Sequence, residues 1–346
     1  MMTPKKRTFE ATPKRKDMRG WRQTANTKIR GFALSTLALL LLASCGGGGD
    51  DLASGGIGGT GTISIGTISE LGSIFVNGIE FDTTDASVAF NGSDSVPGML
   101  QVGMVVTVEG VVNDDGLTGV ATSVVYDDKL QGPIGAIVME NGRLTVLNQH
   151  IHTDDSTVFD TGSPGPALTD LLNDDIIQVS GLTNADGSIQ ATRITLLPPD
   201  AERVFHITGP VSDVAGDTFR INDLTIDYST AQSMGPMSMM NGPQNGEVVE
   251  AMGSLDNDGI LIATELRMMD NYSAKKGQMQ LAGYINSVAG DTLTISAPMG
   301  VITVNIVQDT VFTGGSADDL GRGTMVQVQG GMSMGTLTAL EISIIN

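Results

Sequence analysis

From residue 61 onward, runs of alternating apolar and polar residues are separated by turns rich in Gly, Asn and Asp. Alternation with a period of two predicts β-strands that bury one face. One such run, closed by a glycine, occurs four times in the same register, at 105–110, 176–181, 248–253 and 325–330. Four copies in one register indicate an internal repeat.

Each copy of this run places two apolar side chains on one face and a polar side chain between them on the other. The apolar pairs are Val106 and Val108, Ile177 and Val179, Val249 and Ala251, and Val326 and Val328. The polar residues are Thr107, Gln178, Glu250 and Gln327. This is the pattern of a half-buried strand, so we expect the polar residues to face solvent.

The strands and turns around these runs divide the chain into four units, which we call repeats 1 to 4. They cover 62–126, 131–197, 204–269 and 278–346, and the joints between them are 127–129, 197–200 and 270–276. Each repeat has five predicted strands, with a polar or short helical connection between the third and fourth, as at 167–172 and 316–320. We therefore expect an all-β fold of four tandem, five-stranded, OB-like β-barrels. A β-sandwich made of paired units is the alternative.

The composition agrees with this fold, because 45 Gly and few aromatic residues are typical of a turn-rich chain without long helices. The net charge of −20 is unevenly distributed: residues 1–45 hold ten of the 19 Lys and Arg. The rest of the chain has nine basic and 37 acidic residues. Such a polyanion repels phosphate backbones, so we expect no nucleic-acid partner.

The basic N-terminal segment precedes an apolar run at 31–42 that is too short to span a bilayer as a stable helix. This arrangement predicts a secretory signal peptide over 1–44, with Met18 as an alternative start. The run ends in Leu42-Ala43-Ser44-Cys45, which resembles the lipobox of bacterial lipoproteins. In that family the cysteine thiol receives a diacylglycerol and a peptidase cuts just before it, here between Ser44 and Cys45.

The lipobox resemblance implies a palmitate-type lipid anchor on Cys45 and a place in the bacterial cell envelope. Gly46, where an Asp would retain enterobacterial lipoproteins at the inner membrane, implies the outer membrane. The alternative is a structural cysteine after an ordinary signal peptide. Cys45 is the only cysteine, so the lipidated chain would have no disulfide, and the Gly-rich stretch 45–61 predicts a flexible tether.

A second resemblance concerns the repeats themselves. The segments 55–61, 72–78 and 103–105 are similar to bacterial lipoproteins that carry tandem copies of domain-of-unknown-function family 5666. The resemblance covers almost all of 56–346, except the Met-rich sequence between the third and fourth strands of repeat 3. That family has no established activity, so the resemblance implies the architecture and leaves the function open.

Two groups of side chains are candidate metal ligands. Met234, Met237, Met239 and Met240 lie in a loop bounded by Gly and Pro, and their spacing resembles the Met motifs of periplasmic copper proteins. Soft thioethers of this kind select Cu(I) or Ag(I), although packing of the loop against a barrel would also explain them. His150 and His152 share one face of a strand, a geometry that suits a transition metal or, as the alternative, a solvated surface.

Acid-rich turns at 113–116, 184–187 and 256–259 present oxygen ligands for weak Ca²⁺ binding, but they lack the spacing of an EF-hand loop. Asn or Asp before Gly is also what a tight turn requires, and turn formation is the favoured interpretation. The segment 331–335 has the G-x-S-x-G pattern of a nucleophile elbow, yet it joins two predicted strands, whereas an elbow joins a strand to a helix.

The sequence therefore predicts no catalytic residue. The favoured function is a non-enzymatic binding or structural module of the cell envelope, anchored to the membrane by lipid, with envelope proteins or cations as partners. Soft-metal binding through the Met-rich loop is the second hypothesis, and a hydrolase is the third.

Overall fold

The structure, a computed structural model, describes residues 61–199, 201, 203–234, 242–269, 275–298 and 300–345. The predicted signal peptide, its cleavage site at Ser44 and Cys45, and the tether up to residue 60 lie outside the described residues. Met237, Met239 and Met240 lie outside them as well. Within the described ranges, no helix has both the length and the apolar character needed to cross a membrane.

The described residues form an all-β fold whose helices are short 3-10 turns, at Pro97–Met99, Met139–Asn141, Leu168–Asp170 and Ala317–Asp319. Repeat 1 contains β1 (Thr62–Thr67), β2 (Ile74–Val76), β3 (Ile79–Asp82), β4 (Ser87–Phe90), β5 (Ser93–Ser95), β6 (Val105–Val112) and β7 (Thr118–Tyr126). Repeat 2 contains β8 (Leu130–Val138), β9 (Arg143–Val146), β10 (Gln149–His152), β11 (Val158–Asp160), β12 (Ile176–Thr183) and β13 (Ile189–Leu196).

Repeat 3 contains β14 (Phe205–Pro210), β15 (Ser212–Ala215), β16 (Thr218–Ile221), β17 (Leu224–Asp227), β18 (Gln232–Met234), β19 (Val248–Leu255) and β20 (Leu261–Met268). Repeat 4 contains β21 (Gly277–Ala289), β22 (Thr292–Ala297), β23 (Gly300–Thr313), β24 (Met325–Ser333) and β25 (Thr336–Ile345). Repeat 4 thus has five strands, whereas repeats 1 and 3 have seven and repeat 2 has six.

The hydrogen-bonded strands of repeat 4 close into a ring. β21 pairs with β22 and with β24, β22 pairs with β23, and β25 lies between β23 and β24. All these pairs are antiparallel except β23 with β25, which is parallel. Repeats 1 to 3 have the same strand order with the third strand in two pieces, for example β3 and β4, which both run parallel to β7. In repeat 3 the first strand is also in two pieces, β14 and β15, and in repeat 1 β5 is an added strand that pairs with β4.

The predicted inward face of the repeated strand is confirmed. The eight apolar residues assigned to it have no solvent-exposed surface, namely Val106, Val108, Ile177, Val179, Val249, Ala251, Val326 and Val328. They pack inside the rings with apolar residues from the other strands. Burial of these apolar side chains stabilises the fold.

The glycine that closes each repeated strand lies at a β-bulge, where the register with the following strand shifts. A Cβ atom at these positions would lie 2.0 to 2.4 Å from a backbone carbonyl oxygen of that strand, closer than any real contact. The four glycines are Gly110, Gly181, Gly253 and Gly330. The repeat therefore requires glycine here because only a residue without a side chain admits the neighbouring backbone.

The expectation that the opposite face of these strands meets solvent is wrong. Thr107 and Glu250 are buried, and Gln178 and Gln327 are only partly exposed. Gln327 Nε2 donates a hydrogen bond to the backbone oxygen of Asn77 in repeat 1, at 3.2 Å. The polar face is covered because the repeats pack against one another through it.

The repeats join in two continuous sheets. The first strands of repeats 1 and 4 run parallel, with Thr62–Ile65 paired to Gln278–Leu281. Those of repeats 2 and 3 run antiparallel, with Leu130 opposite Ile207. Repeats 2 and 3 share one hydrophobic cluster, and Ile63 and Ile65 of β1 belong to the cluster of repeat 4. The repeats are therefore joined in pairs, 1 with 4 and 2 with 3, by hydrogen bonds between their first strands.

Candidate functional site

The joint between repeats 1 and 2, residues 127–129, is buried and extends the sheet of repeat 2. The backbone N–H of Lys129 donates to the oxygen of Val179 on β12 at 2.8 Å. On the other side, the N–H of Thr208 on β14 donates to the oxygen of Lys129 at 2.9 Å. Lys129 is therefore fixed between repeats 2 and 3.

Asp128 of this joint is the centre of a buried polar cluster formed by repeats 1, 2 and 3. Its carboxylate accepts hydrogen bonds from His206 Nε2, from Gln178 Nε2 and, at 3.1 Å, from Asn91 Nδ2. Burial lowers the pKa of His206, but the charge of Asp128 and its hydrogen bond outweigh burial and raise the pKa above 6.5. The protonated form of His206 is therefore favoured beside the buried carboxylate.

Arg267 of repeat 3 binds Asp127, the other acidic residue of the joint. Its Nε donates to Glu250 Oε2 at 2.7 Å, and its Nη2 donates to Asp127 Oδ1 at 3.0 Å. Burial raises the pKa of Glu250, and the charge of Arg267 opposes this effect. The guanidinium of Arg267 thus binds the carboxylates of both Glu250 and Asp127. Asp127 is therefore paired, and this contact fixes the joint against repeat 3.

Lys129 of this joint lines a cavity of about 490 Å³ among repeats 2, 3 and 4. Most of the lining is apolar, including Ile189, Ile207, Ile221, Met268, Met269, Ala297 and Val301. Among the described lining residues, Lys129 and Glu247 alone carry ionisable side chains. Glu247 Oε2 accepts a hydrogen bond from the N–H of Gln244 at 2.8 Å.

Lys129 is buried, and among the described residues no opposite charge is in contact with its amine. The residue is 8% exposed, and within the described part of the chain its Nζ makes no hydrogen bond or ion pair. Burial lowers the pKa of Lys129 from 10.5 to about 8, although the charge of Asp127 acts in the opposite direction. Thr208 Oγ1, in the same lining, is also buried and has no partner among the described residues.

An apolar cavity with a few unsatisfied polar atoms and a strongly perturbed ionisable group is the usual form of a small-molecule site. The sequence offered one weak signal for it. Lys129 is one of only nine basic residues after Cys45, and it directly precedes the apolar strand β8. Its burial depends on three repeats that are far apart in sequence, so the pattern around Lys129 could not reveal the site.

The two predicted histidine ligands do lie on one face of β10, in the lining of a second cleft of about 590 Å³. His150 is exposed, with its Nε2 3.9 Å from Asp223 Oδ2. Burial lowers the pKa of His152, and the charge of Arg143 on the neighbouring strand lowers it further. Among the described residues, His, Cys, Asp and Glu form no group of three that would hold a metal ion.

The acid-rich turns use their carboxylates to close the turn. Asp115 Oδ1 accepts hydrogen bonds from the backbone N–H groups of Leu117 and Thr118, both at 2.9 Å. Asp186 Oδ1 accepts from the hydroxyl and the backbone N–H of Ser188. These hydrogen bonds lower the pKa of both aspartates. The geometry is that of the Asx turns that the sequence favoured over Ca²⁺ binding.

The G-x-S-x-G segment forms a β-hairpin, because β24 ends at Ser333 and β25 begins at Thr336. Met334 and Gly335, both with positive φ, make the two-residue turn. Met332 is 3% exposed in the core of repeat 4, whereas Met334 is 80% exposed, so their thioethers do not converge. Of the Met-rich loop, only Met234, the last residue of β18, falls within the described backbone.

The fold and the strand pairing define an all-β protein built from four tandem repeats. The family model described as "Domain of unknown function (DUF5666)" matches residues 60–125, 131–195, 208–267 and 282–343. The chain belongs to this family, which confirms the resemblance drawn from the repeated segments. No curated protein sequence matches the chain.

Three solved structures show low similarity to the chain. A full-length MCM homolog from Methanopyrus kandleri is 16% identical with a TM-score of 0.16, over 20% of this chain and 14% of that chain. Drosophila Unr CSD456 is 12% identical with a TM-score of 0.17, over 62% of this chain and 96% of that chain. A multidomain protein with nucleic acid binding domains from Streptococcus pneumoniae TIGR4 is 11% identical with a TM-score of 0.17, over 63% of this chain and 73% of that chain. The chain thus spans a small part of the MCM homolog. TM-scores this low carry no argument about fold or function.

Proposed function

We propose that the protein is a non-enzymatic binding module of the bacterial cell envelope that holds a small, mainly apolar ligand between its repeats. The observation that carries this proposal is the cavity of about 490 Å³, whose lining includes the buried residues Lys129 and Thr208. Thr208 Oγ1 is a buried polar atom without a partner among the described residues. Buried polar groups cost free energy unless they are hydrogen-bonded, and a ligand with one polar end would satisfy them.

The proposal includes an OB-type barrel for each repeat. It is supported by the ring of strands in repeat 4, in which the third and fifth strands are parallel and the other neighbours are antiparallel. The 3-10 turns at Leu168–Asp170 and Ala317–Asp319 occupy the connection between the third and fourth strands of repeats 2 and 4. Five strands in this order suit a small Greek-key barrel.

The proposal also includes a lipid anchor at Cys45, supported by the lipobox resemblance of residues 42–45. A Gly-rich tether of this length has a coil reach on the order of 20–25 Å, which would hold the repeats close to an outer-membrane surface. Cys45→Ser should abolish incorporation of labelled palmitate and leave the precursor uncut. Equal labelling of the wild type and the variant would contradict the anchor.

Ligand binding is tested with N-phenyl-1-naphthylamine, a neutral dye that fluoresces in apolar surroundings, and with the mature chain from residue 45 onward carrying Cys45→Ser. This chain has neither the lipid nor the apolar segment 31–42, so it needs no detergent. Val301 lies in the cavity lining and is 60% exposed, so Val301→Trp would fill the cavity without disturbing the core. Val311 lies on the same strand, outside the lining, and is 56% exposed, so Val311→Trp is the matched control.

We expect the dye to bind the parent chain and the Val311→Trp variant equally, and to bind the Val301→Trp variant about tenfold more weakly. This loss corresponds to about 1.4 kcal/mol of binding free energy. Absence of dye binding, or equal binding by all three chains, would refute the pocket as a ligand site.

A further inference from the structure

We propose that Lys129 forms a reversible imine with an apolar aldehyde or ketone held in the cavity. This inference rests on the proposed ligand-binding function and assigns the ligand class. It starts from the position of Lys129, whose backbone is hydrogen-bonded on both sides to Val179 and Thr208. The side chain therefore enters the cavity from a rigid support, as a group that reacts with a bound ligand requires.

The amine is not ion-paired in this cavity. The neighbouring carboxylate of Asp127 binds Arg267 Nη2 at 3.0 Å, and Glu247 of the lining accepts a hydrogen bond from the backbone of Gln244. An apolar pocket around a lysine without a counter-ion favours the neutral amine, which is the nucleophilic form. With its pKa lowered to about 8, Lys129 is about half neutral at pH 8, whereas an ordinary lysine is neutral in about one molecule in 300.

The reaction needs no oxidant or reductant. The nitrogen lone pair of Lys129 attacks the carbonyl carbon, and a proton moves from nitrogen to the former carbonyl oxygen to give a carbinolamine. Loss of that oxygen with the second nitrogen-bound hydrogen, as water, forms the carbon–nitrogen double bond. Thr208, whose hydroxyl has no partner among the described residues, would donate a hydrogen bond to the carbonyl oxygen and polarise it.

Charge favours a carbonyl compound over an apolar carboxylate, the other ligand class that a lysine would recognise. The chain after Cys45 has 37 acidic and nine basic residues, so an anion is repelled on its approach, whereas an aldehyde is neutral. Strand β14 also brings His206 near the joint, and β19 brings the buried Glu250, but His206 is paired with Asp128 and Glu250 with Arg267. Among the described residues, Lys129 is thus the cationic group of this lining.

The test treats the mature chain from residue 45 onward, carrying Cys45→Ser, with decanal and sodium cyanoborohydride, which reduces imines to stable amines. Peptide mass spectrometry locates the adducts. Lys276, which is exposed, is the internal control. We expect at least tenfold more labelling at Lys129 than at Lys276 near pH 8. We also expect labelling of Lys129 to rise through about pH 8 and that of Lys276 to rise only at higher pH.

Equal labelling of the two lysines would overturn the inference. Displacement of the naphthylamine dye by decanol separates this failure from failure of the binding site, because decanol has the same chain without a carbonyl group. If decanol displaces the dye and Lys129 is not labelled, the pocket stands and the imine is refuted. If decanoate displaces the dye more strongly than decanal, and Lys129→Met removes that preference, the pocket recognises an anion and the imine is also refuted.

Discussion

Replacing Lys129 with Met should stabilise the protein at neutral pH. The methionine keeps an unbranched apolar side chain in the cavity wall and removes the buried charge. The fall in the pKa of Lys129 from 10.5 to about 8 corresponds to a cost of about 3 kcal/mol for keeping the ammonium in the folded chain, at about 1.4 kcal/mol for each tenfold change. We expect the free energy of unfolding to rise by up to about this amount.

The gain should depend on pH in a defined direction. Between about pH 8 and 10.5 the unfolded chain holds a proton on Lys129 that the folded chain has lost, so the stability of the wild type rises with pH. Below about pH 8 both states are protonated and the full cost remains. The advantage of Lys129→Met should therefore be largest at neutral pH and approach zero near pH 10.5.

The measurement is urea unfolding followed by far-UV circular dichroism, at neutral pH and near pH 10, with Lys276→Met as the control for removal of an exposed lysine. The comparison requires that the slope of the transition be the same in all chains. A variant that is less stable than the wild type at neutral pH, or a gain that does not shrink as the pH rises, would refute the uncompensated burial of Lys129.

Three further outcomes follow from the packing of the repeats. Gly330→Ala places a Cβ 2.0 Å from a backbone oxygen and should destabilise repeat 4 by about 1–3 kcal/mol in urea unfolding, whereas Gly331→Ala, with open space around it, should be nearly silent. Arg267→Met leaves the buried Glu250 unpaired and should lower the unfolding free energy by about 3 kcal/mol, a loss that Glu250→Gln in the same chain should partly restore. Folding raises the pKa of His206, so the stabilisation that His206 contributes is complete below about pH 6.5 and disappears as the pH rises through the pKa of the folded state. A pH series of unfolding midpoints should show this dependence in the wild type and not in His206→Gln.

The parts of the fold that could be predicted are those encoded locally. Alternation placed Val326 and Val328 on the buried face, because the side chains of a strand alternate wherever the strand lies. The pairing of β1 with β21 could not be predicted, since the first strands of all four repeats are similar and nothing local distinguishes their partners. The burial of Glu250 was missed because it depends on contacts distant in sequence: Glu250 pairs with Arg267, which also binds Asp127 of the joint between repeats 1 and 2.

In the candidate site, too, the features encoded locally could be predicted, and those that depend on packing between distant segments could not. The common face of His150 and His152 follows from their spacing alone, and the structure confirms it. The surroundings of the pair depend on another strand, which places Arg143 opposite His152, where its charge contributes to the lowered pKa of His152. The sequence places Lys129 only in a joint between repeats. The cavity that it lines is formed by repeats 2, 3 and 4 together, so the cavity could not be predicted from the residues around Lys129.

The parallel pairing of β1 with β21 has a consequence for how the chain is made. A ribosome completes repeat 1 long before it reaches Gln278–Leu281, so Thr62–Ile65 must wait for its neighbour while two further repeats are synthesised. During that interval the backbone edge of β1 is free to pair with another chain, and Ile63 and Ile65 lack the cover that they later receive. Chains that stop before residue 277 keep this edge permanently and are the ones expected to aggregate or to exchange strands with a second copy.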